Sequence, residues 1–555
     1  TRVGAVRPVA AGIVRRYTVV LGERPASAPG ASKFAVVFLS VGVVMREPRS
    51  SCTRCRAVIL VAICSLSPPT VAQEPTDPGS VGPTVTTGED VTRRRVALFQ
   101  AAMLQDLRTR AEASGQGDAV VEALVTTYAE YLARWLFQES AWQKRLLSLG
   151  RRALSSGSED PLVLLATGDG AYLRSRFDEA LPMLTRAANE LAEGSRSPLV
   201  KHLAWSRLTS LMERRGTALE LERTRDRAEQ YLVAAVADPV FAGEGLGTYL
   251  RVVEDFYART GVPPQFAARI AEVENAHRYP VLILRAEREF DLGWQARGTE
   301  TTDRVTAEGW REFHAHLESA ADLAEEAFAI APQFPNAPAL MIRIAGGASA
   351  PRRVLREWFD RTVAAQFDYT PAYESYAWFS LPRWGGSHDL MMRFANECLA
   401  GGRFDTRVPD MYRVVLATLM RDLDDPADAL SSQQVRDAIV AVHDGYAARI
   451  QMAPLQRYDL SQHAILLALS GRARQAAALY QSIAGGFDDS ALRRYGIERE
   501  WLEEEFAPHL APHMPEAVPP FDVYAGYSST APDGTPPARP IPMTPNATTT
   551  WQTTA

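Results

Sequence analysis

Residues 161–193 read PLVLLATGDGAYLRSRFDEALPMLTRAANELAE, and their spacing decides the fold. Asp160-Pro161 places an N-cap side chain before a proline at the first helical position. Leu164, Gly168, Ala180, Leu184 and Ala187 then recur as alternating small and large residues, and Phe177-Asp178-Glu179-Ala180-Leu181 reads as the start of a second helix. Small side chains at these points let two helices cross closely, so the stretch describes one helix–turn–helix unit.

The unit follows the 34-residue tetratricopeptide pattern, with Thr167, Ala171 and Ala192 as departures. A window from Arg457 repeats it with Leu460, Ala464, Leu467, Gly471, Ala476 and Tyr480. A third, ending at Pro332, matches only in its second helix, through Ala320, Ala324 and Ala327. The windows are not spaced by multiples of 34, so the pairs between them are irregular. Helical period dominates elsewhere. Val121, Leu124, Val125, Tyr128, Leu132 and Trp135 form one apolar stripe; Val435, Ile439, Val442, Tyr446 and Ile450 form another. Asp238-Pro239, Thr370-Pro371 and Asp425-Pro426 mark further helix starts, and Ser431-Ser432-Gln433-Gln434 reads as a capping box. The expectation is an all-α, tetratricopeptide-like superhelix of about 18 helices.

The 555 residues are 46% apolar and 23% charged, which suits a globular body with ample core. Net charge is −6 but uneven. Residues 1–72 carry ten basic and two acidic side chains, against 50 basic and 64 acidic in the rest. A body this acidic repels phosphate backbones, so nucleic acid is not an expected partner. Lys33, Lys144 and Lys201 are the only lysines.

The first methionine is Met45. Arg46, Arg49, Arg54 and Arg56 form a basic region, Ala57 to Leu66 a short apolar run, and Thr70-Val71-Ala72 a small-x-small cleavage site. This is the layout of a secretory signal peptide, and the apolar run is too short to span a bilayer. The chain accordingly divides into 1–44 (upstream translation or a disordered extension), 45–72 (signal peptide), 73–92 (flexible linker), 93–300 and 301–512 (helical-repeat regions) and 513–555 (a disordered Pro/Thr-rich tail). Cys52, Cys55 and Cys64 fall in the leader, so the mature chain keeps only Cys398 and no intramolecular disulfide. An exported protein with no transmembrane span in its mature chain, periplasmic or secreted, is expected.

Several motifs suggest chemistry and lose it in context. Asp424-Asp425-Pro426-Ala427-Asp428 looks like a magnesium-binding run, but the proline makes Asp425 a helix cap. His314 and His316 lie two apart, so on a helix their rings diverge, with Glu318 nearby. His509 and His513 are interrupted by Pro512. Gly243-x-Gly245-x-Gly247 lacks dinucleotide spacing and a preceding strand. Cys398 lies on an apolar face as a small core residue. No metal, nucleotide or redox cofactor is expected, and no catalytic residue is assigned.

One turn stands apart: Leu381-Pro382-Arg383-Trp384-Gly385-Gly386-Ser387. Pro382 ends a helix, Gly385 and Gly386 permit backbone geometry that a Cβ forbids, and Ser387 caps the next helix, with Asp389 at its positive end. Trp384 supplies a large ring for the corner. The turn reads as structural; the alternative is that Arg383 and Trp384 grip a ligand. The segment 376–398, YAWFSLPRWGGSHDLMMRFANEC, resembles a signature of bacterial tetratricopeptide-like proteins whose shared domain has no assigned function. Pro332-Gln333-Phe334-Pro335-Asn336-Ala337 and Ala468-Leu469-Ser470-Gly471 resemble its flanking segments. The resemblance implies the fold over about residues 95–508 and transfers no catalytic residue. Two functions remain: a non-enzymatic scaffold binding a protein or peptide, or a hydrolase acting on carbohydrate from an α/α toroid.

Overall fold

A computed structural model of the chain describes residues 86–510, with breaks at 115–118, 135–139, 424, 431, 448–452 and 484–485. The expected signal peptide, the segment before it and the C-terminal tail lie outside the described residues. Twenty-one α-helices follow one another: α1 (Gly88–Ser114), α2 (Ala119–Arg134), α3 (Ser140–Ser155), α4 (Pro161–Leu173), α5 (Phe177–Glu193), α6 (Pro198–Arg215), α7 (Ala218–Ala234), α8 (Leu246–Phe256), α9 (Phe266–Ala271), α10 (Arg278–Arg297) and α11 (Ala307–Ile330). Then come α12 (Asn336–Gly347), α13 (Arg352–Ala365), α14 (Thr370–Trp378), α15 (His388–Ala400), α16 (Met411–Asp422), α17 (Gln433–Ala447), α18 (Ala453–Leu469), α19 (Ala473–Ser482), α20 (Asp489–Tyr495) and α21 (Arg499–Phe506). There is no strand among the described residues. The excess over 18 is explained by helices such as α9 and α20, which are too short to show a helical period.

Consecutive helices pack in pairs, as the 161–193 stretch requires. A Cβ on Gly168 would lie 2.9 Å from the Leu184 side chain, so glycine sets the close crossing of α4 and α5. Ala180, Leu184 and Ala187 are fully buried. The third window acquires its missing first helix: α10 packs along α11, whose Ala320, Ala324 and Ala327 are buried. The division expected at 300/301 falls in the connection between them.

The caps refine the sequence expectation. Asp160 accepts from the Leu162 amide at 2.8 Å. Asp238 caps in the same way at 3.1 Å, but the following turn is a short 3-10 segment, Pro239–Phe241. Thr370 is the first residue of α14 and not its cap. Ser432 caps α17 by accepting from the Val435 amide at 3.2 Å. The expected box opens at Ser431, outside the described residues; a reciprocal capping box occurs at Thr217 and Glu220, at the start of α7. Helix α1 begins at Gly88, inside the stretch expected to be linker.

The even-numbered helices form the inner row of the superhelix in two runs: α2 touches α4 and α4 touches α6, and α8, α10, α12, α14 and α16 touch in turn, with α1 reaching both α6 and the turns ahead of α8. Such next-but-one contacts belong to the inner side of a curved stack, where elements crowd. Helix α1 lies against this row, along α2 and reaching α6 and the turns Pro239–Phe241 and Gly243–Gly245 ahead of α8. Its start is pinned far along the chain: the Phe367 amide donates to Thr86 O at 2.9 Å, and the Gly88 amide donates to Asp368 Oδ1 at 2.6 Å. Two apolar cores result. One runs from Phe99 to Ala337 and the other from Ala286 to Phe506, meeting at α10–α12.

Candidate functional site

The signature turn is built as its residues require. Pro382–Trp384 make one 3-10 turn, and Gly385 is left-handed at φ 77°. A Cβ on Gly386 would sit 1.9 Å from the Ser380 carbonyl oxygen, so only glycine fits. Ser387 Oγ accepts from the Leu390 amide at 3.1 Å and starts α15. Trp384 meets Trp294 edge-on at 6.0 Å and Phe379 at 5.3 Å, and Arg352 donates to the carbonyls of Phe379 and Trp384. The Trp384 ring is half-buried, with its indole nitrogen enclosed and without an acceptor among the described residues. Arg383 points elsewhere: it covers the face of exposed Trp378 at 4.6 Å and pairs with Asp422 at 2.9 Å. His388 reaches the same carboxylate at 2.8 Å. Arg383 and Trp384 therefore do not form one grip.

The other sequence candidates are dispersed. His316 pairs with Glu289 on α10 at 2.7 Å, whereas His314 stacks on Trp310, so the rings diverge. Gly245 is a packing glycine, whose Cβ would lie 2.7 Å from Val240 O and 2.9 Å from Leu98 of α1. Cys398 is buried, and burial pushes its thiol far up. Asp424 and His513 lie outside the described residues. Among the described residues no group of three or more His, Cys, Asp or Glu side chains converges as metal ligands.

Two sites emerge that no motif announces. One is the inner face beside the first turns of α1, where Arg95 interacts with the charges of α8. Arg251 and Glu254 of α8, Glu287 and Asp291 of α10, Arg343 of α12 and Tyr369 ahead of α14 influence one another there. Arg343 emerges from an otherwise buried helix, its guanidinium 4.3 Å above the Phe290 ring. Burial pushes the Glu287 carboxyl up to about 7; Arg343 opposes that, and Glu254 and Asp291 add to it. Glu254 and Asp291 remain exposed and Glu287 half-exposed. Along α14, Glu374 and Trp378 lie one turn apart on one face, and Glu374 senses Arg407 and Arg494 beyond. Polar side chains thus line the inner row from α8 to α14.

The other is a buried network. Arg413, 1% exposed, donates to Asp459 at 2.6 Å, and Asp459 accepts from or faces His443 Nδ1 at 2.8 Å. Asp410 pairs with Arg494 at 3.1 Å and Arg407 at 3.3 Å. His443 stacks on His463 with centroids 4.1 Å apart. Neighbouring arginines and His443 hold the Asp410 and Asp459 carboxyls below the usual carboxylate range despite their burial. The network ties α16, α17, α18 and α20 together. Its members are scattered from 407 to 494; the charges inside the apolar texts of α12 and α16 were the available signal.

A scan of protein-family models finds no match to this chain, and a search of curated proteins finds none either.

Proposed function

We propose that the chain is a non-enzymatic helical-repeat scaffold that binds a peptide segment of a partner on the inner face of α10–α16. The observation that carries this is α1. It already occupies the inner row of α2–α8 as a helical guest, with Phe99 and Met103 buried. Past α8 the start of α1 reaches the row just ahead of α14, at Phe367 and Asp368, and the row still presents Glu287, Asp291, Arg343 and Glu374 to solvent. Mixed charges on a concave face set register and specificity for an extended or helical segment. The resemblance of the Leu381–Ser387 turn to tetratricopeptide-like proteins supports the same role, the turn being a structural corner. Export through the 45–72 segment completes the proposal. No described helix is long and apolar enough to cross a membrane.

Peptides selected from a displayed random library against the full chain provide the test. Arg343→Gln with Glu374→Gln should weaken a selected peptide at least tenfold with at most a small loss in the thermal midpoint. Binders indifferent to both substitutions would refute the inner-face assignment.

A hydrolase on the same face is the second reading, favoured by the Glu287 carboxyl, which titrates at about 7 beside two other carboxylates. Release of reducing ends from a polysaccharide panel, abolished by Glu287→Gln, would select it over the scaffold.

A further inference from the structure

A recess of about 560 Å³ opens between α3 and the turn that joins α4 to α5, remote in sequence from the inner-face residues. Five cations line it: Lys144, Arg151 and Arg152 from α3, and Arg174 and Arg176 from the turn. Leu147 forms its apolar floor. One carboxylate is already held at its edge. Glu179 takes Arg151 Nη2 at 2.7 Å on one oxygen and Arg176 Nη1 at 3.2 Å on the other. Among the described residues, Lys144, Arg152 and Arg174 have no carboxylate partner and stand exposed.

A local excess of positive charge is the unexpected feature, because the body of the chain is acidic. The negative end of the α3 dipole accounts for Arg151 and Arg152 in its last turns. It does not reach Lys144, two turns earlier, nor Arg174 on the next connection. Ser175, between the two turn arginines, has φ 57°, a left-handed conformation that residues with side chains seldom adopt. The cations are spread over two turns of helix and a facing loop, so they do not converge on one point. The volume lies in the range of ligand sites and far exceeds one inorganic oxyanion.

We infer that this recess is a docking site for an acidic peptide segment of a partner, whose Asp or Glu carboxylates pair with Lys144, Arg152 and Arg174 as Glu179 pairs with Arg151 and Arg176. Arginine forks hold carboxylates bidentately, and the apolar floor at Leu147 accepts the aliphatic part of a side chain between them. The contacts are exposed, so binding is salt-sensitive.

The probe is a fluorescein-labelled peptide of twelve residues rich in Glu, with a Gln-rich peptide of equal length as its control, followed by anisotropy with the full chain. The Glu-rich peptide should bind at 50 mM salt at least tenfold more tightly than the Gln-rich one, and the advantage should collapse at 500 mM. Lys144→Glu with Arg174→Glu should remove that advantage while the thermal midpoint stays in place. Arg353→Glu, at an exposed position on α13, should leave it intact. Equal affinity for the two peptides would overturn the inference, as would binding that survives the double reversal or is lost equally in Arg353→Glu. Vesicles containing 30% anionic phospholipid form the last arm: capture of the chain by vesicles without peptide binding would assign the charge to a membrane surface and overturn the peptide site.

Discussion

The two ends of the superhelix solve the same problem differently. Over α2–α8 the inner row is covered by α1, whose Phe99, Met103 and Leu104 are buried and whose Arg95 reaches the Ala133 carbonyl at 3.2 Å. Gly245 leaves the room that this covering needs: a Cβ there would lie 2.9 Å from Leu98. Over α10–α16 the row keeps a polar, accessible surface, and stability comes from below it, through the apolar core and the Asp410–Arg413–Asp459–His443 network. The first half buries a charge pair of its own, Asp169 with Arg207 at 2.8 Å, among the rings of Tyr128, Tyr131 and Tyr172. The difference teaches that apolar content on an inner helix goes to self-packing, whereas an inner face meant to stay open carries charge and derives its rigidity from elsewhere.

The largest expected effect breaks the covering. Phe99→Ala removes a fully buried ring from α1 and should cost about 3–5 kcal/mol. Arg343→Ala on the open face, which loses the contact with Phe290, should cost no more than about 1 kcal/mol. Chemical denaturation of both variants checks the contrast. Equal losses would mean that the second inner face is as packed as the first.

Next comes acidification, which should weaken both halves by the same mechanism. Burial lowers His202 in the first half to about 4 and His463 in the second to about 3, against about 6.5 in an unfolded chain. His443 and Arg413 lower His463 further. These bases stay neutral when folded and take up protons when unfolded. Their contribution is complete above about pH 6.5 and declines as pH falls toward 4 and 3. At pH 5 each should cost about 2 kcal/mol relative to pH 8. His202→Gln and His463→Gln should each flatten the acid limb of the stability curve; a limb unchanged in either variant would remove that histidine from the account.

A comparable or smaller loss is expected at the corner. Trp384 is only half-buried and its indole nitrogen has no partner among the described residues, so Trp384→Ala should cost about 2 kcal/mol, less than full burial would imply. Gly386→Val meets the Ser380 carbonyl directly and should cost about 1–3 kcal/mol or prevent folding. Thermal melts compare the two. A Trp384→Ala variant that melts like the parent would detach the ring from the structural role proposed for the turn.

The fold was legible because its signals are local. The Gly168–Leu184 crossing, the Asp160 cap and the Pro382–Ser387 turn are each written within a few residues. The site was not, because it is assembled by curvature. Glu254, Glu287, Arg343 and Glu374 lie on four different helices, and periodicity reports only that each faces away from an apolar stripe. Nor could sequence show that α1 turns inward: its pinning to Asp368 spans 280 residues. The separation of Arg383 from Trp384 was likewise hidden, since neighbouring residues in a 3-10 turn point in different directions.

Hydrogen exchange of the full chain, with and without a selected peptide, tests the central claim most directly. The expected result is added protection of amides in α10, α12, α14 and α16, with α1, α2, α4 and α6 unchanged. Protection confined to α2–α6, or faster exchange in α1 as the peptide displaces it, would contradict the division into a self-filled half and an open one.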